Sequence, residues 1–165
     1  MKPTKANKTD KATARDTVST NSRTALWIVS YFDPQGSVLD PAAGKDAFFG
    51  RFKNAEKYRC EILDGSDFFQ WTKKVDWIIT NPPYSIYDLF LEHALEVADN
   101  VVFFVPLMKA FKNNRTQRMV SEYGGLREIV YMGTGAQHGF AVGFPVGCLH
   151  YQRGYKGDCE ITEYF

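Results

Sequence analysis

No run of about 18 consecutive apolar residues occurs in the sequence, so a membrane-spanning helix is not expected. Nor does the N-terminus carry the apolar stretch of a signal peptide. Cysteine is scarce. Cys60, Cys148 and Cys159 form an odd, scattered set without C-x-x-C spacing. That pattern argues against a disulfide framework and a zinc site, and for reduced thiols in a cytoplasmic protein that holds no metal. Neither charge sign dominates: the net charge is +1, so no global basic field announces nucleic acid. Internal repeats are absent. What is present is apolar material, 44% hydrophobic with thirteen Phe and nine Tyr, which is too much for a disordered chain. Its 165 residues fit one domain with one core.

Local charge is less even. Lys2, Lys5, Lys8, Lys11, Arg15 and Arg23 stand against Asp10 and Asp16 in the first 23 residues. Residues 1–22 are read as a basic, disordered tail that either adds phosphate contacts or only solubilises. Residues 23–165 are read as a single domain.

Hydrophobic pattern and turn residues predict a short helix over 25–32 and a buried strand over 37–40. A helix over 46–53 follows, with Phe48, Phe49 and Phe52 on one side. A second strand is expected over 58–63, and the clearest buried strand over 75–80 (VDWIIT), stopped by Asn81-Pro82-Pro83-Tyr84. A helix over 85–97 and a strand over 101–105 come next, then helix over 108–123. Later strands are expected over 129–132, 147–152 and 161–165. Alternation of strands and helices up to residue 123 predicts an α/β fold, a mostly parallel sheet with helices on both faces. The last strands lack intervening helices, so the C-terminal end should be antiparallel. Ligands of such sheets bind beyond the carboxyl ends of strands, where Asp40–Gly44, Glu61 and Asn81–Tyr84 all fall.

The NPPY tetrapeptide carries the strongest chemistry. Two prolines leave a stiff, extended segment. It presents two acceptors, the Asn81 carboxamide oxygen and the Pro82 carbonyl. An amine conjugated to an aromatic ring is a poor nucleophile. Two acceptors that each take one N–H localise its lone pair and stabilise the positive charge that grows during methyl transfer. Tyr84 offers a face on which to stack a base. Small residues at Pro41, Ala42 and Gly44 let a ligand approach the backbone. Asp40 is placed to pair with the ammonium of an amino-acid ligand. Glu61, 21 residues on, suits a ribose diol. Asp67 suits an adenine amine, with Phe68 packing on the ring.

The series DPAAG, Glu61, Asp67-Phe68 and VDWIITNPPY resembles the adenine-specific DNA methyltransferases, over about residues 37–106. It is most like small phage and bacterial versions in which the cofactor motif precedes NPPY. The resemblance implies a Rossmann-like fold and S-adenosylmethionine as cofactor. Asp40, Pro41, Ala42 and Gly44 would then cradle its methionine end, Glu61 its ribose, and Asp67 and Phe68 its adenine. Asn81, also counted among the cofactor contacts, would grip a target adenine in DNA with Pro82 and Tyr84. A target inside a duplex would be flipped out of the stack. Restriction-modification is one role this implies, regulation another.

The sequence departs from that pattern in three places. Asp46 stands where a second glycine is usual. Only six positions separate Glu61 from Asp67, too few for a parallel crossover, so the sheet should be reduced between its second and fourth strands. No separate recognition domain follows, so sequence preference is expected to be loose or supplied by a partner. Residues 133–147, rich in Gly and aromatics, are either a loop that touches the flipped base through His138, Phe140 or Phe144, or a plain hairpin loop. Lys109, Lys112, Arg115 and Arg118 either face phosphates or form a solvated basic face. NPPY also occurs in enzymes that methylate protein glutamine, which usually carry a D-x-G-x-G-x-G loop, and close variants occur in RNA adenine methyltransferases. An inactive relative that only binds cofactor or DNA is the remaining alternative.

Overall fold

The computed structural model of the chain describes residues 19–140 and 143–164. Most of the basic segment expected over residues 1–22 lies outside these, as do Ala141, Val142 and Phe165. The described residues form ten helices and strands: α1 (Ser22–Phe32), β1 (Val38–Asp40), β2 (Lys57–Arg59), β3 (Val75–Thr80), α2 (Tyr87–Val97), β4 (Ala98–Pro106), α3 (Asn114–Tyr123), β5 (Gly124–Thr134), β6 (Pro145–Arg153) and β7 (Glu160–Glu163).

The seven strands form one sheet in the order β2-β1-β3-β4-β6-β5-β7. β1, β2, β3 and β4 run parallel. β6 is antiparallel to both β4 and β5, and β7 returns parallel to β5. The chain moves from β1 outward to β2, then crosses back to β3 on the other side of β1. That reversal opens a crevice at the carboxyl ends of β1 and β3, where ligands of such sheets bind. The sheet is reduced as the short Glu61–Asp67 spacing requires. β2 is its edge, and the connection from β2 to β3 holds only two 3-10 turns, Ile62–Asp64 and Phe68–Gln70.

Side chains that alternate along β4 build two cores. Val101, Phe103 and Val105 pack under α2 and Val120 of α3. Val102 and Phe104 pack on the opposite face with Ala25, Ile28 and Val29 of α1. Period-two alternation in fully buried strands thus places helices on both faces. The hydroxyls of Tyr87 on α2 and Tyr151 on β6 meet at 2.8 Å inside the first core. Among the described residues no helix is long and apolar enough to cross a membrane, and the three cysteines are unpaired.

Four expected elements differ. The helix predicted over 46–53 is a series of turns with one 3-10 turn, Phe49–Arg51. Asp46 adopts φ 62°, a left-handed conformation that stops a helix from starting, although Phe48 and Phe52 are buried as the apolar pattern required. The strand predicted over 58–63 ends at Arg59. Glu61 then caps a 3-10 turn by accepting from the Leu63 N–H. The helix predicted over 108–123 is broken. A 3-10 segment, Leu107–Phe111, precedes α3, because the Asn113 side chain accepts from Thr116 N–H and starts a new helix. The helix predicted from residue 85 begins at Tyr87, after a 3-10 turn.

Tyr151→Phe leaves the buried Tyr87 hydroxyl without its partner and is expected to lower unfolding free energy by about 1–3 kcal/mol. Adding Tyr87→Phe should recover part of that loss. Urea denaturation of the two variants checks this, and a double variant weaker than the single one would contradict it.

Candidate cofactor and substrate site

At the crevice between β1 and β3 lies a cavity of about 510 Å³, within the range of small-molecule sites. Of the residues singled out by sequence, Pro41, Ala42, Gly44, Glu61, Asp67, Phe68 and Asn81 line it. Three strand ends, distant in sequence, therefore share one wall. Asp40, Pro82 and Tyr84 do not line it.

The loop after β1 is small and tightly tied. Gly44 takes φ 51°, and a Cβ placed there would meet nothing within 4 Å. The glycine thus leaves an open cradle that a side chain would enter. The Gly44 N–H donates to Glu61 Oε2 at 2.6 Å, and Leu63 N–H donates to Oε1 at 3.1 Å. A carboxylate has about four lone-pair sites, so each Glu61 oxygen can still accept from a diol. Asp67 Oδ1 accepts from Phe69 N–H at 2.9 Å. The Phe68 ring is buried against Phe90 and His93. Phe48, Ile62, Leu63 and Phe69 also line the cavity, and Asp64 adds a third carboxylate beside Glu61 and Asp67; an apolar floor edged by carboxylates suits a nucleoside. Sequence reading passed over these four because they looked like ordinary core or turn residues.

Asp46, where a second glycine is usual, keeps the backbone conformation that glycine favours. Its side chain pairs with Arg59 Nε at 2.7 Å. Aspartate tolerates left-handed φ better than most residues, so the loop retains its shape with a charged side chain in place of a hydrogen.

Asp40 is fully buried behind the loop. Its Oδ1 accepts from Thr80 Oγ1 at 2.7 Å and lies 3.4 Å from Ala42 N. Thr80 is the last residue of β3, so this bond ties the loop after β1 to the strand that ends in NPPY. Burial pushes the Asp40 carboxyl up to about 7, against the lowering effect of the bonds from Thr80, Ala42 and Phe49.

Beyond Thr80 the chain is extended at Pro83 and enters a 3-10 turn at Tyr84. Asn81 and Pro83 line the cavity, whereas Tyr84 faces the Phe140 ring, nearly parallel at 6.1 Å between centroids. Phe144 meets Phe140 edge-on at 5.6 Å. Asn81 Nδ2 donates to Thr20 Oγ1 at 3.2 Å, which turns the acceptor oxygen of the carboxamide away from Thr20. Nothing in the polar stretch around Thr20 signalled this contact. His138 belongs to the framework: buried, it takes Thr24 Oγ1 at Nδ1 (2.8 Å) and donates from Nε2 to Met132 O (2.6 Å). Of the basic residues, Lys112 pairs with Asp88 and Arg115 with Glu92, while Lys109 Nζ donates to the Tyr84 carbonyl at 3.1 Å.

No protein-family model matches the chain, and no curated protein does. Solved structures share its fold. The chain superposes on a modification subunit assigned to a type I restriction enzyme of Vibrio vulnificus YJ016 with TM-score 0.67 at 18% identity, covering 96% of this chain and 49% of that one. A protein from Listeria monocytogenes assigned as a class I S-adenosylmethionine-dependent methyltransferase gives 0.65 at 12%, covering 86% and 63%. One from Pyrococcus horikoshii assigned as an RNA methyltransferase gives 0.59 at 16%, covering 80% and 82%. The fold is thus the Rossmann-like fold of methyltransferases, and the chain spans about half the length of the Vibrio protein.

Asp40 ionises near 3.8 in an unfolded chain and near 7 in the folded one. Its contribution to stability is therefore present at low pH and is lost as pH rises through about 7. Asp40→Asn should flatten the fall in thermal stability between about pH 4 and about pH 7 relative to the native chain. Melting curves that run parallel across that interval would contradict this.

Proposed function

We propose that the chain is an S-adenosylmethionine-dependent methyltransferase acting on the exocyclic amino group of adenine in DNA. The observation that carries this reading is the shared wall: Asn81 lines the same cavity as Pro41–Gly44, Glu61 and Asp67. A methyl donor and a nitrogen acceptor need to meet there.

The open cradle at Gly44 and the paired carboxylates fit the cofactor. Pro41, Ala42 and Gly44 receive its amino-acid end, and Asp40 holds their loop from behind. Glu61 accepts from the ribose hydroxyls. Asp67 accepts from the adenine amine while Phe68 packs on the ring. When bound, S-adenosylmethionine supplies an electrophilic methyl group on a sulfonium that leaves as a neutral thioether.

The Asn81 carboxamide oxygen and the Pro82 carbonyl each accept one N–H of the target amine. This draws the nitrogen toward tetrahedral geometry and localises its lone pair for in-line attack. Asn81 takes up no proton; the one released after transfer passes to water. Tyr84 stacks on the target base, backed by the nearly parallel Phe140 ring, with Phe144 behind that. A base in a duplex reaches Tyr84 only by leaving the stack. DNA is favoured because the fold is shared with a modification subunit of a type I restriction enzyme. RNA is the second reading, since the Pyrococcus protein of the same fold is assigned as an RNA methyltransferase.

With labelled cofactor and unmethylated double-stranded DNA, transfer is expected to yield N6-methyladenine on nucleoside digestion. Asn81→Ala should lower the transfer rate by about 10²–10³, the cost of losing one transition-state partner. Glu61→Ala should instead weaken cofactor binding measured by calorimetry. Label found only in RNA, or only on protein glutamine, would overturn the DNA assignment.

A further inference from the structure

The turn that carries Asp67 and Phe68 has little of its own to hold it. No element longer than a 3-10 turn lies between β2 and β3, and this one, Phe68–Gln70, is three residues long. Such turns are short pieces that lean on their surroundings. Its own hydrogen bonds are local. Phe69 N–H donates to Asp67 Oδ1 at 2.9 Å, Gln70 N–H to Asp67 O at 3.0 Å, and Trp71 N–H to Phe68 O at 2.9 Å. They fix the shape of the turn and not its place against the sheet. Among the described residues, one hydrogen bond ties residues 67–71 to a helix or strand: His93 Nε2 on α2 donates to the Trp71 carbonyl at 2.9 Å. A carbonyl only accepts, so that ring nitrogen carries the proton.

His93 stands one helical turn beyond Phe90, which lines the cavity. It is 8% exposed and does not itself line the cavity. Its ring meets Phe68 edge-on at 4.7 Å and Phe69 at 5.8 Å between centroids, and both of those rings do line it. On the other side of the imidazole, Nδ1 lies 3.2 Å from Glu96 Oε2, which sets the rotation of the ring. An apolar residue would satisfy the buried face of α2 at this position. It would also leave the Trp71 carbonyl without this donor.

We infer that His93 is a positioning residue for the cofactor: through Trp71 and Phe68 it holds the turn that bears Asp67 in register with the rest of the cavity wall. This role rests on the reading of the cavity as the S-adenosylmethionine site. His93 touches neither the cofactor nor the target amine in that reading. Its loss is felt in how well the adenine end binds, and not in methyl transfer at Asn81. In a sheet reduced between Glu61 and Asp67, the helix that follows NPPY thus takes over support of the adenine side of the cavity.

The test compares His93→Gln with His93→Asn. The Gln amide nitrogen takes the place of Nε2 and still donates to Trp71 O, whereas the Asn amide nitrogen takes the place of Nδ1 and falls short. Both lose the ring, so the difference between them reports the bond. Calorimetry of the full chain with S-adenosylhomocysteine, the thioether product, is expected to show Kd raised about tenfold in His93→Asn and less than about threefold in His93→Gln. In labelled-cofactor assays on DNA, His93→Asn should raise the KM for S-adenosylmethionine with less than about a twofold change in kcat. Equal weakening in both variants would show loss of ring packing alone and overturns the role. Unchanged affinity in His93→Asn, or a fall in kcat without a rise in KM, also overturns it, and leaves the cofactor reading standing. Should His93→Asn not fold, Glu96→Ala decides. Its side chain is exposed, and freeing the ring to rotate should raise Kd about threefold; an unchanged Kd there overturns the role. An unaltered chain that does not bind S-adenosylhomocysteine overturns the cofactor reading itself.

Discussion

At the carboxyl ends of β1 and β3 the Thr80 hydroxyl donates to the Asp40 carboxylate, and neither residue is exposed. Much of the site depends on this contact. β1 and β3 are neighbours because the chain reverses direction across the sheet between them. The reversal brings together two loops that are 40 residues apart in sequence. A carboxylate buried this deeply is costly unless it is bonded, so the bond to Thr80 both makes the burial tolerable and holds the loop after β1 against the NPPY strand. The raised ionisation of Asp40 records how much of that cost remains.

The loop that follows shows how shape and residue identity can part. Asp46 occupies a backbone conformation that glycine would reach without strain, and Arg59 holds its side chain. The loop keeps its turn while its outer edge gains an ion pair between the β1 loop and β2. The sheet is also shortened at β2, yet the cavity persists. The two 3-10 turns between β2 and β3 still deliver Glu61, Asp67 and Phe68 to it. A full strand and helix between those residues are not required for a nucleoside-shaped wall.

On the other side of NPPY, aromatic residues from distant segments converge. Tyr84 and Phe140 lie nearly parallel, and Phe144 closes against Phe140. His138, from the same late loop, has both ring nitrogens bonded within the fold. Neighbours in sequence thus divide between an aromatic cluster and a hydrogen-bonded scaffold. The same principle sorts the basic residues: Lys112 and Arg115 are paired with acids of α2, and Lys109 anchors its segment to the Tyr84 carbonyl.

The amino-acid sequence by itself determined the α/β class, the strand ends that bear DPAAG, Glu61 and NPPY, the antiparallel finish and the missing middle of the sheet. Each follows from hydrophobic period, proline stops and residue spacing, which act locally along the chain. It misjudged residues 46–53 and the break before α3, because a single left-handed residue and a single capping asparagine outweigh a helical pattern of aromatics. Tertiary structure alone decided that Asp40 lies behind the cavity wall, that Thr20 contacts Asn81, that Phe140 faces Tyr84, and that Met108 and Phe111 stay exposed. Those facts depend on which distant segments pack together, and contacts of that kind leave no periodic trace in the order of residues.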